Sequence, residues 1–384
     1  MDVTQKRIGI VGGGQLGKMM ILEAKRLGFY VAVLDPTVDC PAHSICDLHI
    51  VADFDDSKGY LELSKRADVI TYEFEHINSE VLEALEQNGH LIYPSVTALK
   101  TIQNKYSQKT ALSRSEIPIP RFFKTSTPTE IRDLGKPENL GYPLMLKTTT
   151  GGYDGKGNAV IKTEDEVEIA FNQLGGGQKE LMLEEFIDFE KEISIIACRG
   201  INGERTIYPV AENTHANSIL DTTTVPADIS ETVADKAAAI ADRVMSVFEG
   251  VGTFCVEMFV TGQGDVYVNE VAPRPHNSGH YTIEGCFANQ FENHIRAIVG
   301  LPFGDTSLMT PTVMVNLLGE SDGAATLLGL EEAYQDPNVH VHFYGKKESK
   351  TGRKMGHYTV VGDTIEDTIK RAQDLKQIIR VVGN

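Results

Sequence analysis

Thr253-Phe-Cys-Val-Glu257-Met-Phe-Val260-Thr-Gly-Gln-Gly-Asp265-Val-Tyr-Val-Asn269-Glu270-Val271 reads as two apolar strands, 253–260 and 265–271, joined by a glycine-rich turn. Folding about Gln263-Gly264 sets Glu257 directly opposite Glu270. Opposed Cβ atoms in an antiparallel pair lie about 4.5–5.5 Å apart, and like charges at that spacing are destabilising. The surrounding Phe254, Val256, Phe259, Val266 and Val268 offer no compensating charge. A solvent-facing glutamate pair is the plain alternative, but strands this apolar favour a cation held between the carboxylates. Mg²⁺, with carboxylate and phosphate oxygens as ligands, is the natural occupant, with Mn²⁺ able to take its place. Asn269 adds a neutral oxygen, although strict alternation points it to the other face unless the strand end bends. The next residues, Ala272-Pro-Arg-Pro-His-Asn-Ser-Gly279, form a rigid polar loop. Arg274, His276, Asn277 and Ser278 are placed there to meet an anion beside the metal.

Upstream, a strand over 142–148 ends on Lys147 and runs into Thr148-Thr-Thr-Gly-Gly-Tyr-Asp-Gly-Lys-Gly157. Gly151, Gly152, Gly155 and Gly157 leave this segment free to turn backbone N–H groups toward a polyphosphate, with Lys147 and Lys156 beside it. A plain hairpin needs only about two to five loop residues. It is not a Walker loop, since no Gly-Lys-Ser/Thr leads into a helix. Strands over 158–162, 181–186 and 192–197 follow, then a helix over 231–248 that starts after Ser230. Thr127-Pro-Thr-Glu130 and Thr163-Glu-Asp-Glu166 have the form of helix starts with reciprocal capping. Strands and helices segregated in this way indicate an α+β unit.

The first third alternates instead: strand 7–11, helix 15–27 closed by Gly28, strand 30–34, then strands 68–72 and 91–93 separated by helix 78–88, and one helix over 96–114. This is the pattern of a doubly wound parallel sheet. Gly12-Gly-Gly14-Gln15-Leu16-Gly17 opens its first helix, with Asp35 ending the second strand. The spacing matches a dinucleotide fingerprint, but a helix N-terminus receives any phosphate. The loop is open to a nucleotide cofactor, a phosphorylated substrate, or nothing. The last segment holds strand 312–317, a hairpin over 339–344 and 356–361, and a terminal helix over 365–380.

The chain has 384 residues, 41% hydrophobic and 23% charged, as in folded globular proteins. Lys+Arg 36 against Asp+Glu 54 leave a net charge of −18, which argues against non-specific nucleic-acid or anionic-membrane partners. No apolar run is long enough to span a bilayer and no signal-peptide pattern is present, so a cytoplasmic location is expected. Five scattered cysteines without C-x-x-C fit a reducing compartment and suggest no zinc site.

The Lys147-ended strand, the Gly152–Gly157 loop, the hinge Glu184-Glu185-Phe186-Ile187 and Glu257 with Asn269-Glu270 together resemble the ATP-grasp superfamily. With Gly12–Gly17, Tyr72-Glu-Phe-Glu75 and Ala272–Gly279, the resemblance narrows to the N5-carboxyaminoimidazole ribonucleotide synthases, ATP-dependent carboxylases of bacterial and fungal purine synthesis. It runs from the first strand to about Arg353. It implies an α/β and α+β architecture in three parts: a Rossmann-like domain over 1–116, an ATP-grasp domain over 117–300 with a lid over about 120–185, and a small C-terminal domain over 301–384. It implies ATP-dependent carboxylation of 5-aminoimidazole ribonucleotide with bicarbonate, through carboxyphosphate, by a homodimer.

The resemblance further implies that Lys105, Lys147 and Lys156 contact ATP phosphates under the loop Gly152–Asn158. Glu184–Ile187 hold the adenine, Glu192 the ribose hydroxyls, and His215 lies beside the nucleotide. Glu257 and Glu270 ligate Mg²⁺, assisted by Asn269. Tyr153, Asp154, Arg274, His276 and Asn277 line the aminoimidazole and bicarbonate site, with Asp154 a candidate proton handler. Gly14, Gln15, Leu16 and Glu73 meet the ribonucleotide, and Lys346 and Arg353 bind its phosphate. On their own, Lys346 and Arg353 also fit a solvated basic hairpin, His215 a loop histidine, and Glu192 a surface strand. The family often has Arg where Lys105 stands and Trp where Phe186 stands. Competing expectations are another ATP-grasp ligase, such as a formate-dependent glycinamide ribonucleotide transformylase or a biotin carboxylase, an NAD-dependent dehydrogenase, and a non-catalytic nucleotide-binding regulator.

Overall fold

Short apolar strands alternating with one-faced helices bury both only when the strands lie side by side under helices. In the computed structural model, which describes residues 3–152 and 157–384, strands Leu48–Ile50, Tyr30–Leu34, Arg7–Val11, Val69–Tyr72 and Leu91–Ile92 form a parallel sheet in that order. Helix Gln15–Arg26 ends at Leu27, with Gly28 at φ +82, a conformation costly for any side chain. Asn78 caps helix Ser79–Gln87 by accepting the N–H groups of Glu80 and Val81. Edge strand Leu48–Ile50 and helix Ser57–Arg66 are additions to the expected pattern, the strand being only three half-buried residues.

The single helix expected over 96–114 is two helices, Val96–Gln103 and Lys105–Arg114. Asn104 breaks it: its backbone is extended and its side chain accepts the Ser107 N–H, while Lys105 N–H goes to Thr149 O at 2.7 Å. The break aims the new helix's first residue, Lys105, into the site described below.

Strands Phe122–Thr125, Leu181–Glu185, Leu144–Thr148 and Asn158–Ile161 form an antiparallel sheet in that order, packed on helices Pro128–Leu134 and Val167–Gln173. Thr127 caps the first helix as expected. Thr163 does not cap: a 3₁₀ turn over Glu164–Glu166 precedes the second helix, and the Glu166 carboxylate takes the Lys162 N–H instead.

The remaining strands build one nine-stranded sheet among the described residues. Its order is Val266–Ala272, Gly252–Val260, Lys191–Arg199, Ala211–Ala216, Ile219–Val225, Thr312–Leu318, Lys354–Val361 and Val339–Phe343, with Arg205–Ile207 beside Lys191–Arg199. Helix Glu231–Phe248, capped by Ser230, lays Ala237, Ala241 and Val244 against Ile195, Phe254 and Val256. Truncating so buried a Phe254 would cost roughly 3–5 kcal/mol. The sheet runs on without interruption from the hairpin of Gly252–Val260 and Val266–Ala272 into Thr312–Leu318. The terminal helix stops at Leu375, short of the expected 380, and Arg380–Gly383 turns back as a strand beside Gly323–Leu328. Among the described residues no helix is long and apolar enough to cross a membrane.

Candidate active site

Near its turn the hairpin pairs Val260 with Val266 and Met258 with Val268, so it centres on Gln263, not on Gln263-Gly264. A bulge then shifts the ladder and brings Glu257 opposite Glu270. The expected pairing is present, but through an extra residue. That residue, Asn269, escapes the alternation that would have turned it away, and its Oδ1 lies 3.3 Å from Lys147 Nζ on the site face. Burial first, then the Glu270 charge, pushes the Glu257 carboxyl up to about 7. Lys105 Nζ meets Glu270 Oε1 at 2.6 Å. Two opposed carboxylates and a bulge amide oxygen suit a hard divalent cation, since all the donors are oxygen.

Beneath this pair lies a buried charge cluster. Glu184 is 2% exposed and sits 2.7 Å from Lys147 Nζ and 3.3 Å from Lys109 Nζ. Burial works against its ionisation, but the two lysines win and hold it below the usual carboxylate range. Lys109 also donates to Val268 O at 3.1 Å, and burial brings its ammonium down to about 8. Sequence reasoning missed Lys109. The signal was available: Lys105 and Lys109 are four apart and share one helix face. Glu185 pairs with the exposed Arg121, Phe186 lines the cleft, and Ile187 is half-buried beyond it.

Glu192 and His215 face each other on strands Lys191–Arg199 and Ala211–Ala216, with Oε2 3.2 Å from Nδ1. His215 is therefore a strand residue just past a register shift, not a loop histidine. Burial would lower its pKa, but Glu192 outweighs burial and raises it.

On the opposite wall, Arg274 Nε and Nη2 hold Glu75 at 2.5 and 3.1 Å, which joins the loop after strand Val266–Ala272 to the parallel sheet. His276 Nδ1 accepts the Ser278 N–H at 3.3 Å, which leaves its proton on Nε2, and Nε2 lies 3.9 Å from Glu257 Oε1. Burial, with the Arg274 and Lys354 charges, keeps this ring neutral. Asn277 is 8% exposed, and both of its amide atoms are buried with no hydrogen-bond partner although it lines the cleft. A buried amide left so costs about 1–3 kcal/mol, and a ligand would satisfy it.

The glycine loop resolves differently from a dinucleotide site. Asp35 Oδ2 accepts Gly13 N–H at 2.8 Å, and Glu73 accepts Gly14 and Gly17 N–H at 2.6 and 2.7 Å. A Cβ on Gly12 would lie 2.4 Å from Glu73 Cγ. The amides a pyrophosphate would need are already taken. Gln15, Leu16 and Glu73 still line the cleft. Lys346 Nζ donates to Lys354 O at 2.7 Å and lies over the Tyr344 ring, and its charge acts on Glu73. Arg353 is exposed and donates to Glu348 O at 2.9 Å, while its neighbour Lys354 lines the cleft.

These walls enclose about 750 Å³, with Gly152 and Asn158 on the lid side. Gly157, at φ +96, closes its end of the loop by accepting Thr148 N–H at 2.9 Å. Tyr153, Asp154, Gly155 and Lys156 lie outside the described residues.

Family models match along the chain: a ribonucleotide synthetase preATP-grasp domain over residues 5–103, an ATP-grasp domain over 110–291, and a phosphoribosylaminoimidazole carboxylase C-terminal domain over 312–371. N5-carboxyaminoimidazole ribonucleotide synthase of Bacillus subtilis is 41% identical over 367 residues, covering 94% of this chain and 93% of that one. The crystal structure of N5-carboxyaminoimidazole ribonucleotide synthetase from Thermotoga maritima is 45% identical, with a TM-score of 0.89 over 99% of this chain and 100% of that one. The Aspergillus clavatus N5-carboxyaminoimidazole synthase, solved with ADP and 5-aminoimidazole ribonucleotide, is 35% identical with a TM-score of 0.90, covering 98% and 99% of the two chains. With identity of this order along nearly its whole length, and three matching domain models in sequence, the chain belongs to the N5-carboxyaminoimidazole ribonucleotide synthase family of ATP-grasp enzymes.

Proposed function

We propose that the chain carboxylates the exocyclic amine of 5-aminoimidazole ribonucleotide, using ATP and bicarbonate, as a ligase of purine biosynthesis. The observation that carries this reading is the cleft itself: the opposed Glu257 and Glu270 stand across from an unpartnered Asn277 amide, between two walls joined by Arg274 and Glu75.

Glu257, Glu270 and Asn269 would hold Mg²⁺, which when bound neutralises charge on the transferring phosphoryl group. Bicarbonate oxygen attacks the γ-phosphorus, the bond to the β-phosphate oxygen breaks, and carboxyphosphate and ADP result. Lys105 and Lys147 stabilise the phosphate charge as point cations. Each is balanced in the free chain by a carboxylate, Glu270 and Glu184 respectively, so neither charge is buried alone. The substrate amine then attacks the carboxyl carbon, phosphate leaves, and the amine proton passes to a base. Asp154 is the proposed handler of that proton, with Tyr153 beside it. The neutral Nε2–H of His276 donates to a carboxylate oxygen, and the Asn277 amide supplies one donor and one acceptor to the substrate. Phe186 and Glu184–Ile187 receive the adenine and Glu192 the ribose, with His215 orienting Glu192. Lys346 and Arg353 take the ribonucleotide phosphate, with Gly14, Gln15, Leu16 and Glu73 near it. A homodimer in the cytoplasm completes this reading, on the resemblance alone.

The test is phosphate release from Mg-ATP with ribonucleotide and bicarbonate each present or omitted. Release that needs both is expected. Release indifferent to the ribonucleotide but driven by another amine or acid would overturn the substrate assignment. Loss of turnover in Asn277→Ala with ATP binding retained would support the role of Asn277, and unchanged kcat and KM would refute it.

A further inference from the structure

Strand Tyr30–Leu34 delivers Asp35 at its end, and the chain then loops through Cys40-Pro-Ala-His-Ser-Ile-Cys46-Asp-Leu-His49 to return as strand Leu48–Ile50. The loop is pinned by Ala42 N–H to Gly13 O and by Asp47 N–H to Val31 O, both at 2.9 Å. This folding gathers an Asp35 carboxylate oxygen, Cys40 Sγ and a His49 ring nitrogen within 4.8 Å of one another. Asp35 and Cys40 are buried and His49 is half-buried at the surface. None of the three lines the cleft, and the carboxylation chemistry uses none of them.

We propose that Asp35, Cys40 and His49 form a second metal site, for a thiophilic divalent cation such as Zn²⁺, with water completing the coordination. Cys40 Sγ and His49 Nε2 are 3.9 Å apart. Tetrahedral zinc, with Zn–S about 2.3 Å and Zn–N about 2.0–2.1 Å, needs them about 3.6 Å apart, a small side-chain movement. Asp35 Oδ1 and Oδ2 each accept one backbone N–H, from Thr37 and Gly13 at 2.8 Å, which orients the carboxylate and leaves a lone pair on each oxygen. A thiolate selects zinc over the Mg²⁺ of the catalytic pair.

The histidines supply a proton route. In the free chain His49 Nε2 lies 3.0 Å from Asp35 O and donates to it, so Nδ1 accepts from His43 Nδ1, also 3.0 Å away. On metal binding, His49 Nε2 releases its proton, gives up its hydrogen bond to Asp35 O and turns to the metal, Nδ1 becomes the donor to His43 Nδ1, and His43 carries its proton on its other nitrogen. The imidazole proton count is unchanged, the Cys40 S–H bond breaks, and one proton leaves to solvent as the metal–sulfur bond forms. The site abuts the glycine loop: Asp35 holds Gly13 N–H, and Cys40 Sγ lies 2.5 Å from where a Gly13 Cβ would stand. Scattered cysteines argue against zinc by spacing, but the strand return makes a site that C-x-x-C spacing does not report.

The untagged full chain, stripped of metal and held in excess Mg²⁺ to occupy the oxygen site, is titrated with Co²⁺. A thiolate-to-cobalt charge-transfer band saturating at a single equivalent, and erased by Zn²⁺, is expected. Cys40→Ser should abolish the band, Cys46→Ser should leave it, and His43→Gln should keep it while weakening affinity about 10–100-fold. In the unmutated chain, Zn²⁺ should protect Cys40 but not Cys46 from a thiol reagent, read peptide by peptide, which needs no variant to fold. No thiolate band, a band surviving Cys40→Ser, or Zn²⁺ failing to protect Cys40 would overturn the site.

Discussion

Replacing Glu75 by Gln removes the charge from a pair that ties the parallel sheet to the loop leaving strand Val266–Ala272. The side chains of Glu75 and Arg274 are only 17% and 14% exposed, and the guanidinium grips both carboxylate oxygens. Burial alone would push Glu75 up. The Arg274 charge and hydrogen bonds outweigh it and hold the carboxyl at about 2, against 4.5 for an unperturbed glutamate. That difference corresponds to roughly 3 kcal/mol, an upper figure for a group that keeps some exposure. The sign follows from a depressed folded-state pKa: the stabilisation is present above the unfolded value and is lost as pH falls toward about 2. At pH 3.5 the same relation leaves about 2 kcal/mol. The uncompensated Arg274 adds a part that does not change with acid. The chain has no tryptophan but 13 tyrosines, so urea unfolding is followed by circular dichroism and tyrosine fluorescence. Wild type should exceed Glu75→Gln by about 3 kcal/mol at pH 7, and the gap should narrow by about 1 kcal/mol at pH 3.5. A gap under about 0.5 kcal/mol at pH 7, the size of an ordinary surface change, would refute the reasoning. So would a gap that ignores pH.

Glu257, raised to about 7 by burial and then by Glu270, stabilises the metal-free fold below about pH 4.5 and loses that contribution as pH rises through 7, with a ceiling of about 3 kcal/mol. Glu257→Gln should flatten that slope in the metal-free protein and abolish turnover; a slope that persists in the variant would show that another group carries it. Gly12→Ala meets φ +100 and a Glu73 Cγ at 2.4 Å, so denaturant titration should show a loss above about 2 kcal/mol. Unchanged stability would mean that Glu73 does not close the loop. Lys109→Met leaves Glu184 with Lys147 alone and should cost about 3–5 kcal/mol, most of it recovered in the double variant Lys109→Met, Glu184→Gln. Additive losses in that double-mutant cycle would show that the two groups are not coupled.

Elements with local signals are legible in the amino-acid sequence. Thr127 and Ser230 cap the helices that follow them, Thr163 of the same local form does not, and the short apolar runs of the first third form the parallel sheet. Strands Ala211–Ala216 and Ile219–Val225 escape a hydropathy reading because they are polar, with Glu212, Asn213, Thr214 and then Thr222, Thr223, Thr224. Their burial is made tolerable by a side-chain network: Asn213 Nδ2 donates to Ser194 Oγ at 2.8 Å, Thr223 Oγ1 to Asn213 Oδ1 at 2.9 Å, and Ser194 Oγ to Ser278 Oγ at 2.9 Å. No hydropathy pattern reports that network, because its members lie on three strands and the 3₁₀ turn Asn277–Gly279. The break at Asn104 is hidden for a similar reason, since the acceptor of the Lys105 N–H is Thr149, just past the end of strand Leu144–Thr148.

The sequence by itself determined which chemistry the chain carries: two glutamates on adjoining hairpin strands, the glycine-flanked lysines, the polar loop over 272–279, and caps such as Thr127 and Ser230. These are residue types at short spacings, where geometry follows from helix and strand periods. Only the tertiary structure decided how they are used. It inserted the bulge that turns Asn269 toward the metal face, placed Lys109 under Glu184, joined Arg274 to Glu75 across 199 residues, and gave the glycine loop's amides to Asp35 and Glu73. The physical reason is that such contacts form between distant segments, each with its own loop-closure cost, and are selected by burial and charge pairing in the assembled core.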